Sequence, residues 1–193
     1  DVHETCNACW QCLVAKSTTR CPSRRVYGIT YGADEGLLGG WAEKIYLKPG
    51  VKIVRLPEGL APEAFIAGGC ALPTAFHALE RGEVRLGDTV VVQGSGPVGL
   101  MATGLARIAG ANRVILIGAP TLRLEVGERL GGDAVISIEG TSAEERSEQV
   151  LALTDGRGAD VTIEASGSPA AVREGMLLTR DAGVYVVVGQ YTD

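Results

Sequence analysis

Apolar runs and amphipathic stretches alternate along the chain from residue 89 onward. The run 89–93 (TVVVQ) is β-branched and apolar almost throughout, which is typical of a strand covered on both faces of a sheet. Similar runs follow, separated by stretches with helical apolar spacing. The predicted strands are 89–93, 113–118, 134–138, 160–165 and 184–189, and the helices between the later strands are 122–130, 143–154 and 170–179.

Strands that alternate with helices indicate parallel pairing through right-handed crossovers, and therefore an α/β fold. We predict a Rossmann-type doubly wound sheet with strand order 3-2-1-4-5 and with its sixth strand missing. This incomplete dinucleotide-binding domain is expected over residues 73–193, after a β-rich domain over residues 1–72. In that first part, the segment GGWAEKIYLKPG at residues 39–50 is predicted to be strand-rich.

A glycine-rich turn, QGSGPVG, joins the first predicted strand of the sheet to a segment with helical apolar spacing, LMATGLARIAG. Its first glycine permits a tight turn, its second lets a pyrophosphate approach the backbone, and its third lets helix pack on strand. The phosphate would lie at the helix N-terminus. The candidate cofactor-binding residues of the turn are Gly94, Ser95, Gly96, Pro97, Val98 and Gly99.

The choice between NAD and NADP depends on the end of the next strand. An acidic residue about twenty positions beyond the turn normally binds the adenosine ribose, but Gly118 ends this strand, and neither Asp nor Glu occurs between Gly110 and Leu124. Arg123 could meet a 2′-phosphate, or it could be an ordinary solvated arginine. The sequence leaves both cofactors open.

Composition excludes several other classes of protein. A hydrophobic content of 46% and mixed charges indicate a folded core, and a net charge of -5 without basic clusters argues against nucleic acid and acidic lipid as partners. No run is long and apolar enough for a membrane span, and no signal peptide is evident, so we expect a cytoplasmic protein. The chain starts with Asp1, and we expect it to be a piece of a longer protein.

Four of the five cysteines lie close together near the start of the chain, with the spacing C-x2-C-x2-C-x8-C. Two-residue gaps let successive sulfurs turn toward one tetrahedral zinc, about 2.3 Å from each thiolate. An iron–sulfur cluster, a redox role, disulfides and inert thiols are the alternatives. The candidate zinc ligands are Cys6, Cys9, Cys12 and Cys21.

The order of these motifs resembles the zinc-containing medium-chain alcohol dehydrogenase family: a four-cysteine lobe, the segment GGWAEKIYLKPG, a GGC-x3-T segment and then QGSGPVG. The resemblance covers essentially the whole chain. It implies that the first domain is part of a GroES-like catalytic domain and that the four cysteines hold a structural zinc. This sequence has eight residues between its third and fourth cysteines, where the family usually has seven.

The resemblance also implies roles for single residues. Cys70 matches a cysteine ligand of the catalytic zinc, and Thr74 matches a threonine that packs against the nicotinamide. Further cofactor contacts would fall on Ala165, Ser166, Val188 and Gly189. The family's other catalytic-zinc ligands, an earlier cysteine and a histidine, have no counterpart here, because His3 has the wrong neighbours. His77 is expected to have a packing or capping role.

The resemblance implies a zinc-dependent enzyme that transfers hydride between an alcohol and NAD or NADP, with this chain as an inactive internal part. Its expected partners are a small alcohol or carbonyl substrate and, in the intact enzyme, further copies in a dimer or tetramer. Two alternatives remain: a noncatalytic NAD(P)-binding module with a zinc-stapled lobe, and a zinc-ribbon interaction protein. The apolar last strand is expected to make the isolated chain associate edge to edge.

Overall fold

The computed structural model describes residues 3–51 and 53–190, which divide into two compact units between Gly59 and Leu60. The division reflects internal contacts within each unit. The predicted boundary after residue 72 is a boundary between two functions and not between two compact units. It therefore stays a prediction.

The first unit contains little regular structure. Glu4 joins two of its segments, because the hydroxyls of Tyr27 and Tyr31 donate to the two oxygens of the Glu4 carboxylate at 2.9 and 2.8 Å. The Lys48 N–H in turn donates to the Tyr27 hydroxyl at 2.8 Å. The elements are the antiparallel strands β1 (His3–Glu4) and β2 (Arg25–Val26), helix α1 (Trp10–Leu13), and 3-10 helices at Thr18–Arg20 and Ala33–Glu35.

The prediction of strand in the segment 39–50 was wrong. No strand forms among these residues, all of which the structure describes. A strand needs a partner to satisfy its row of backbone N–H and C=O groups. Between this segment and the residues just before it we find one such bond, from the Tyr46 N–H to the Leu37 carbonyl at 2.8 Å. Apolar side chains alone therefore did not make this segment a strand.

The second unit is a parallel sheet between two layers of helices. The elements of this unit are α2 (Pro62–Gly68), α3 (Ala71–Gly82), β3 (Thr89–Gln93), α4 (Pro97–Ile108), β4 (Arg113–Gly118), α5 (Thr121–Arg129), β5 (Ala134–Ser137), α6 (Ala143–Leu153), β6 (Ala159–Glu164), α7 (Pro169–Leu178) and β7 (Thr179–Val187). The strands are hydrogen-bonded in the order β5-β4-β3-β6-β7, which confirms the predicted order 3-2-1-4-5 and the Rossmann-type fold.

The apolar core lies on both faces of this sheet. Val90 and Val92 of β3 pack with alanines of α3 and α4 on one face, whereas Val91 packs toward Val150 of α6 and Leu178 of α7 on the other. Successive side chains of a strand point to opposite faces. The unbroken apolar run of β3 therefore has a direct cause, since both faces are covered.

Strand β7 differs most from its prediction, because it begins at Thr179 and not at 184. Ala159 of β6 pairs with Thr179, and Val161 pairs with Val184, so the extra residues of β7 form a bulge. Two of those extra residues, Arg180 and Asp181, are charged. The apolar pattern therefore did not indicate where the strand begins.

Candidate functional site

The glycine turn runs from the end of β3 into the start of α4. Gly94 has φ +106°, and a Cβ added there would lie 2.8 Å from the Ser166 backbone nitrogen. A Cβ at Gly99 would overlap the Gly94 carbonyl. Both positions therefore exclude a side chain, the first because of its left-handed backbone and its neighbours, and the second because helix and turn are in contact.

Gly96 differs from its two neighbours, because nothing lies within 4 Å of a Cβ added at this position. It is the N-cap of α4 in an extended conformation, and Pro97 follows as the first helical residue. The first N–H groups of a helix have no partner within it and carry the positive end of its dipole. The open side of Gly96 is thus free for a ligand, and an anion would be favoured there.

A cavity of about 430 Å³ opens beside this turn. It lies at the carboxyl ends of the central strands, where the chain leaves β3 toward one side and β6 toward the other, which is the usual ligand crevice of a doubly wound sheet. The predicted cofactor residues that line it are Gly94, Ser95, Gly96, Gly118, Arg123, Ala165 and Ser166.

Other predicted cofactor residues lie beside this cavity rather than on its wall. Pro97, Val98 and Gly99 form the first turn of α4. Val188 and Gly189 follow β7, and their N–H groups donate to the main-chain carbonyl of Glu164 at 2.9 and 3.1 Å.

Gly118 ends β4 directly against the glycine turn. A Cβ at this position would lie 2.7 Å from the Ser95 Cβ and 2.8 Å from the Ser95 nitrogen, and the Ser95 hydroxyl donates to the Ala119 carbonyl at 2.7 Å. An acidic side chain could not be added here without moving the turn. Arg123, in the first turn of α5, lines the cavity and is exposed to solvent.

The four clustered cysteines of the first unit converge on one point. Cys21 is among them, although eight residues precede it where the family usually has seven. Their sulfurs all lie within 4.8 Å of one another, and the neighbouring Sγ–Sγ distances are 3.5, 3.5 and 3.9 Å. Four thiolates about 2.3 Å from a tetrahedral zinc would lie about 3.8 Å apart. The arrangement therefore fits zinc. The four sulfurs are those of Cys6, Cys9, Cys12 and Cys21.

Two of these thiols have shifted pKa values. Hydrogen bonds from the backbone N–H groups of Ala8 and Cys9 lower the pKa of Cys6 to about 6, whereas burial and then the Cys9 thiol raise the pKa of Cys12 to about 11. Zinc binding requires thiolates, so it would release the protons that remain on the group.

Cys70 and Thr74 lie at the start of α3. Cys70 is the exposed N-cap residue, and the Thr74 hydroxyl donates to the Cys70 carbonyl at 2.7 Å. Within residues 3–51 and 53–190, the four-cysteine cluster is the one group of three or more side chains that could hold a metal ion. Cys70 does not belong to it, and the described residues form no such group around Cys70.

The histidines are not brought to either site. His77 is exposed in the middle of α3, where Nδ1 lies 3.4 Å from Glu80 Oε2. The predicted packing or capping role was therefore wrong, because position 77 is on the solvent face of the helix. His3 is half-buried in β1.

Comparison with known proteins assigns the family. The family model for zinc-binding dehydrogenases matches residues 97–193. This chain belongs to the zinc-binding dehydrogenase family. The 5-exo-hydroxycamphor dehydrogenase of Pseudomonas putida is 43% identical over 152 residues, which are 78% of this chain and 42% of that protein.

Solved structures place this zinc-binding dehydrogenase chain in the same group. An alcohol dehydrogenase from Thermotoga maritima is 36% identical, with a TM-score of 0.93 over 99% of this chain and 53% of that one. A structure described as a zinc-binding dehydrogenase from Sinorhizobium meliloti 1021, bound to NADP, is 26% identical, with a TM-score of 0.82 over 99% and 53%. The chain thus spans about half the length of these proteins.

Four polar residues that line the cavity were not predicted from the sequence: Gln93, Arg146, Ser168 and Glu174. Arg146 of α6 and Glu174 of α7 form a bidentate ion pair, with Nε–Oε1 and Nη2–Oε2 distances of 2.6 and 3.0 Å. Both side chains are nearly buried, and the hydrogen bond to Glu174 raises the pKa of Arg146 above its ordinary value. Gln93 is also buried, and its Nε2 finds no hydrogen-bond partner within the described residues.

No sequence signal pointed to these residues. Arg146 and Glu174 are 28 positions apart, and each resembles an ordinary surface charge on an amphipathic helix. Only the crossover that places α6 beside α7 brings them together.

Among the described residues, no helix combines the length and apolar character that crossing a bilayer would require.

Proposed function

We propose that this chain supplies the cofactor-binding domain and the structural zinc lobe of a zinc-dependent oxidoreductase that transfers hydride between an alcohol and NAD or NADP. The observation that carries the proposal is the open side of Gly96 at the N-terminus of α4, beside a cavity of about 430 Å³. A pyrophosphate would be bound there by backbone N–H groups and the helix dipole. The family and the relatives named above support the reaction class.

The four-cysteine cluster is proposed to hold the structural zinc, which the fit of its Sγ–Sγ distances to a tetrahedral thiolate site supports. Such a site is closed to substrate. Its contribution would be to hold the first unit together and not to take part in the chemistry.

Cys70 and Thr74 are proposed to belong to the reaction centre. Cys70 would supply one thiolate ligand of the catalytic zinc, and Thr74 would contact the nicotinamide. When bound, zinc polarises a substrate oxygen and the nicotinamide carries the hydride. Because the described residues gather no second ligand group around Cys70, we propose that this chain alone binds cofactor without oxidising alcohol.

The proposal is tested by calorimetric titration of the zinc-loaded chain with NADH and NADPH. In a Gly96→Ala variant the added methyl group would meet no protein atom within 4 Å, so it should leave stability within about 0.5 kcal/mol. It would occupy the space of the pyrophosphate, and we expect at least about tenfold weaker binding.

A matched control is Gly104→Ala in the same helix, where an added Cβ would make ordinary contacts at 3.6 and 3.8 Å with Leu130. This variant should bind cofactor as the wild type does. If the wild-type chain binds neither cofactor at millimolar concentration, the proposed function is wrong.

The choice between the two cofactors is proposed to favour NADP, because Gly118 offers no carboxylate and Arg123 lines the cavity. We expect Arg123→Ala to weaken NADPH binding about tenfold and NADH binding much less. Arg129→Ala, in the last turn of the same helix, is the control for loss of a positive charge. Equal losses for both cofactors would contradict the assignment.

A further inference from the structure

Glu164, the last residue of β6, has a completely buried side chain. Its Oε1 accepts three hydrogen bonds from the loop that follows: from the Ser166 N–H at 2.6 Å, the Ser166 hydroxyl at 2.5 Å and the Gly167 N–H at 2.9 Å. A buried carboxylate is costly unless it is hydrogen-bonded. The loop thus depends on this side chain, and the side chain on the loop.

The same residue also holds the segment after β7. The Glu164 main-chain carbonyl accepts from the N–H groups of Val188 and Gly189. Gly189 is packed so closely that a Cβ there would overlap Glu164 Oε2, and a Cβ at Gly167 would lie 2.7 Å from the Gln190 carbonyl oxygen. One residue therefore joins the two loops at the carboxyl end of the sheet.

These loops are in direct contact with the glycine turn. A Cβ at Gly94 would lie 2.8 Å from the Ser166 nitrogen and 2.9 Å from the Ala165 carbonyl oxygen. The Ala165 N–H also donates to the Gln93 carbonyl at 2.8 Å. The backbone of residues 165–166 is thus one wall of the cavity and packs against the turn. The Glu164 carboxylate fixes the position of this backbone through its hydrogen bonds to the loop.

We propose that Glu164 is a positioning residue for cofactor binding: its carboxylate holds the 165–167 loop against Gly94 so that the cavity keeps the shape the dinucleotide requires. The inference rests on the proposed function of the cavity. On the neighbouring strands the residues in register with Glu164 are Gln93 of β3 and Val187 of β7, and neither brings a charge to this level of the sheet. The three bonds to one oxygen account for a side chain with an accepting oxygen at this position.

The test compares three variants by calorimetric titration with NADPH. Glu164→Ala removes all three acceptor contacts, and we expect at least about tenfold weaker binding. Glu164→Gln keeps a carbonyl oxygen able to accept the same bonds and should recover affinity to within about threefold of wild type. Ser166→Ala removes one of the three bonds and should weaken binding by about threefold.

Thr162→Val provides the control for stability. Thr162 is buried on the same strand, and its hydroxyl bonds that of Thr179 at 2.8 Å, so the variant perturbs the sheet without touching the loop. It should bind NADPH as wild type does. Amide hydrogen exchange at Ser166 and Gly167 should accelerate in Glu164→Ala and not in Thr162→Val.

The outcomes separate the two proposals. If wild type binds NADPH and Glu164→Ala or Ser166→Ala binds it equally well, the positioning role is wrong and the proposed function stands. Failure of Glu164→Gln to recover affinity would also overturn the role argued from a single accepting oxygen. If wild type binds no cofactor, the proposed function fails and the positioning role fails with it.

Discussion

The two compact units are stabilised in different ways. The second buries strand residues such as Val90, Val91 and Leu116 completely, on both faces of its sheet. The first has strands of two residues each, and large apolar side chains such as Ile29 and Trp41 are exposed. A small unit without a sufficient apolar core needs a metal or cross-links. If the cluster holds the proposed structural zinc, that zinc would take the place of a core in the first unit.

Removal of zinc should have the largest effect on the difference in stability between the two units. We expect chelation, or the double substitution of Cys9 and Cys12 by Ser, to unfold the first unit and leave the sheet folded, because structural zinc contributes folding free energy directly. The Tyr46 and Lys48 N–H groups donate within the first unit, to the Leu37 carbonyl and the Tyr27 hydroxyl. Amide hydrogen exchange at these two residues therefore reports on that unit, while far-UV circular dichroism reports mainly on the helices of the second.

Cys70→Ser is the matched control for loss of a thiol outside the cluster, and it should keep about one zinc per chain by elemental analysis. Amide exchange at Tyr46 and Lys48 that is unchanged after complete zinc removal would show that the cluster is not what holds the first unit together.

The substitution Gly99→Ala should destabilise the second unit and leave the first unchanged. The added methyl group would overlap the Gly94 carbonyl, and we expect a loss of about 3 kcal/mol or more in free energy of unfolding. Urea unfolding followed by circular dichroism measures it, while amide exchange at Tyr46 and Lys48 in the first unit should not change. Gly104→Ala in the same helix should instead be neutral or stabilising by up to about 1 kcal/mol. Similar unfolding curves for the two variants would contradict the contact at Gly99.

A smaller effect is expected from Asp160, which joins three strands of the sheet. Its carboxylate accepts from the Thr89 N–H at 2.7 Å and from Arg180 Nε at 2.6 Å. Burial pushes the pKa of Asp160 upward, but these two donors outweigh it and leave the pKa below its ordinary value. A lowered native pKa stabilises the fold above the unfolded-state pKa of about 4, and this contribution is lost as pH falls through the native value.

Asp160→Asn should therefore cost about 1–2 kcal/mol at pH 7, and the difference from wild type should shrink as pH falls below about 4. Asp155→Asn removes the same charge from an exposed pair with Arg157 and should change stability by less than about 0.5 kcal/mol. Urea titrations at several pH values measure both. A difference that stays constant down to the acid limit would rule out the ionised Asp160 as its source.

The regular part of the fold was predictable because its signals are local. Strand β3 was predicted with its observed bounds, since a β-branched apolar run directly precedes a glycine turn. Residues 39–50 were mispredicted because side-chain character does not supply a strand partner. The early start of β7 was missed because its first residues, including Arg180, pair through a bulge.

The candidate site was predictable in the same uneven way. The glycine turn and the cysteine spacing are short motifs, and the structure brings the four sulfurs together and places the turn beside a cavity. The Arg146–Glu174 pair and the loop contacts of Glu164 depend on which helices and loops the sheet places side by side. No spacing in the sequence records those neighbours.

The sequence by itself determined the alternation of strands and helices, the turn that leads from β3 into α4 and the clustering of four thiols, because each depends on neighbours a few residues apart. Only the tertiary structure decided that Gly96 faces open space while Gly94 and Gly99 are in contact with the backbone. It alone also decided that Glu164 lies buried beneath the loop beside the turn. Parallel crossovers bring together strand ends that are dozens of residues apart, and the contacts made there have no local signature.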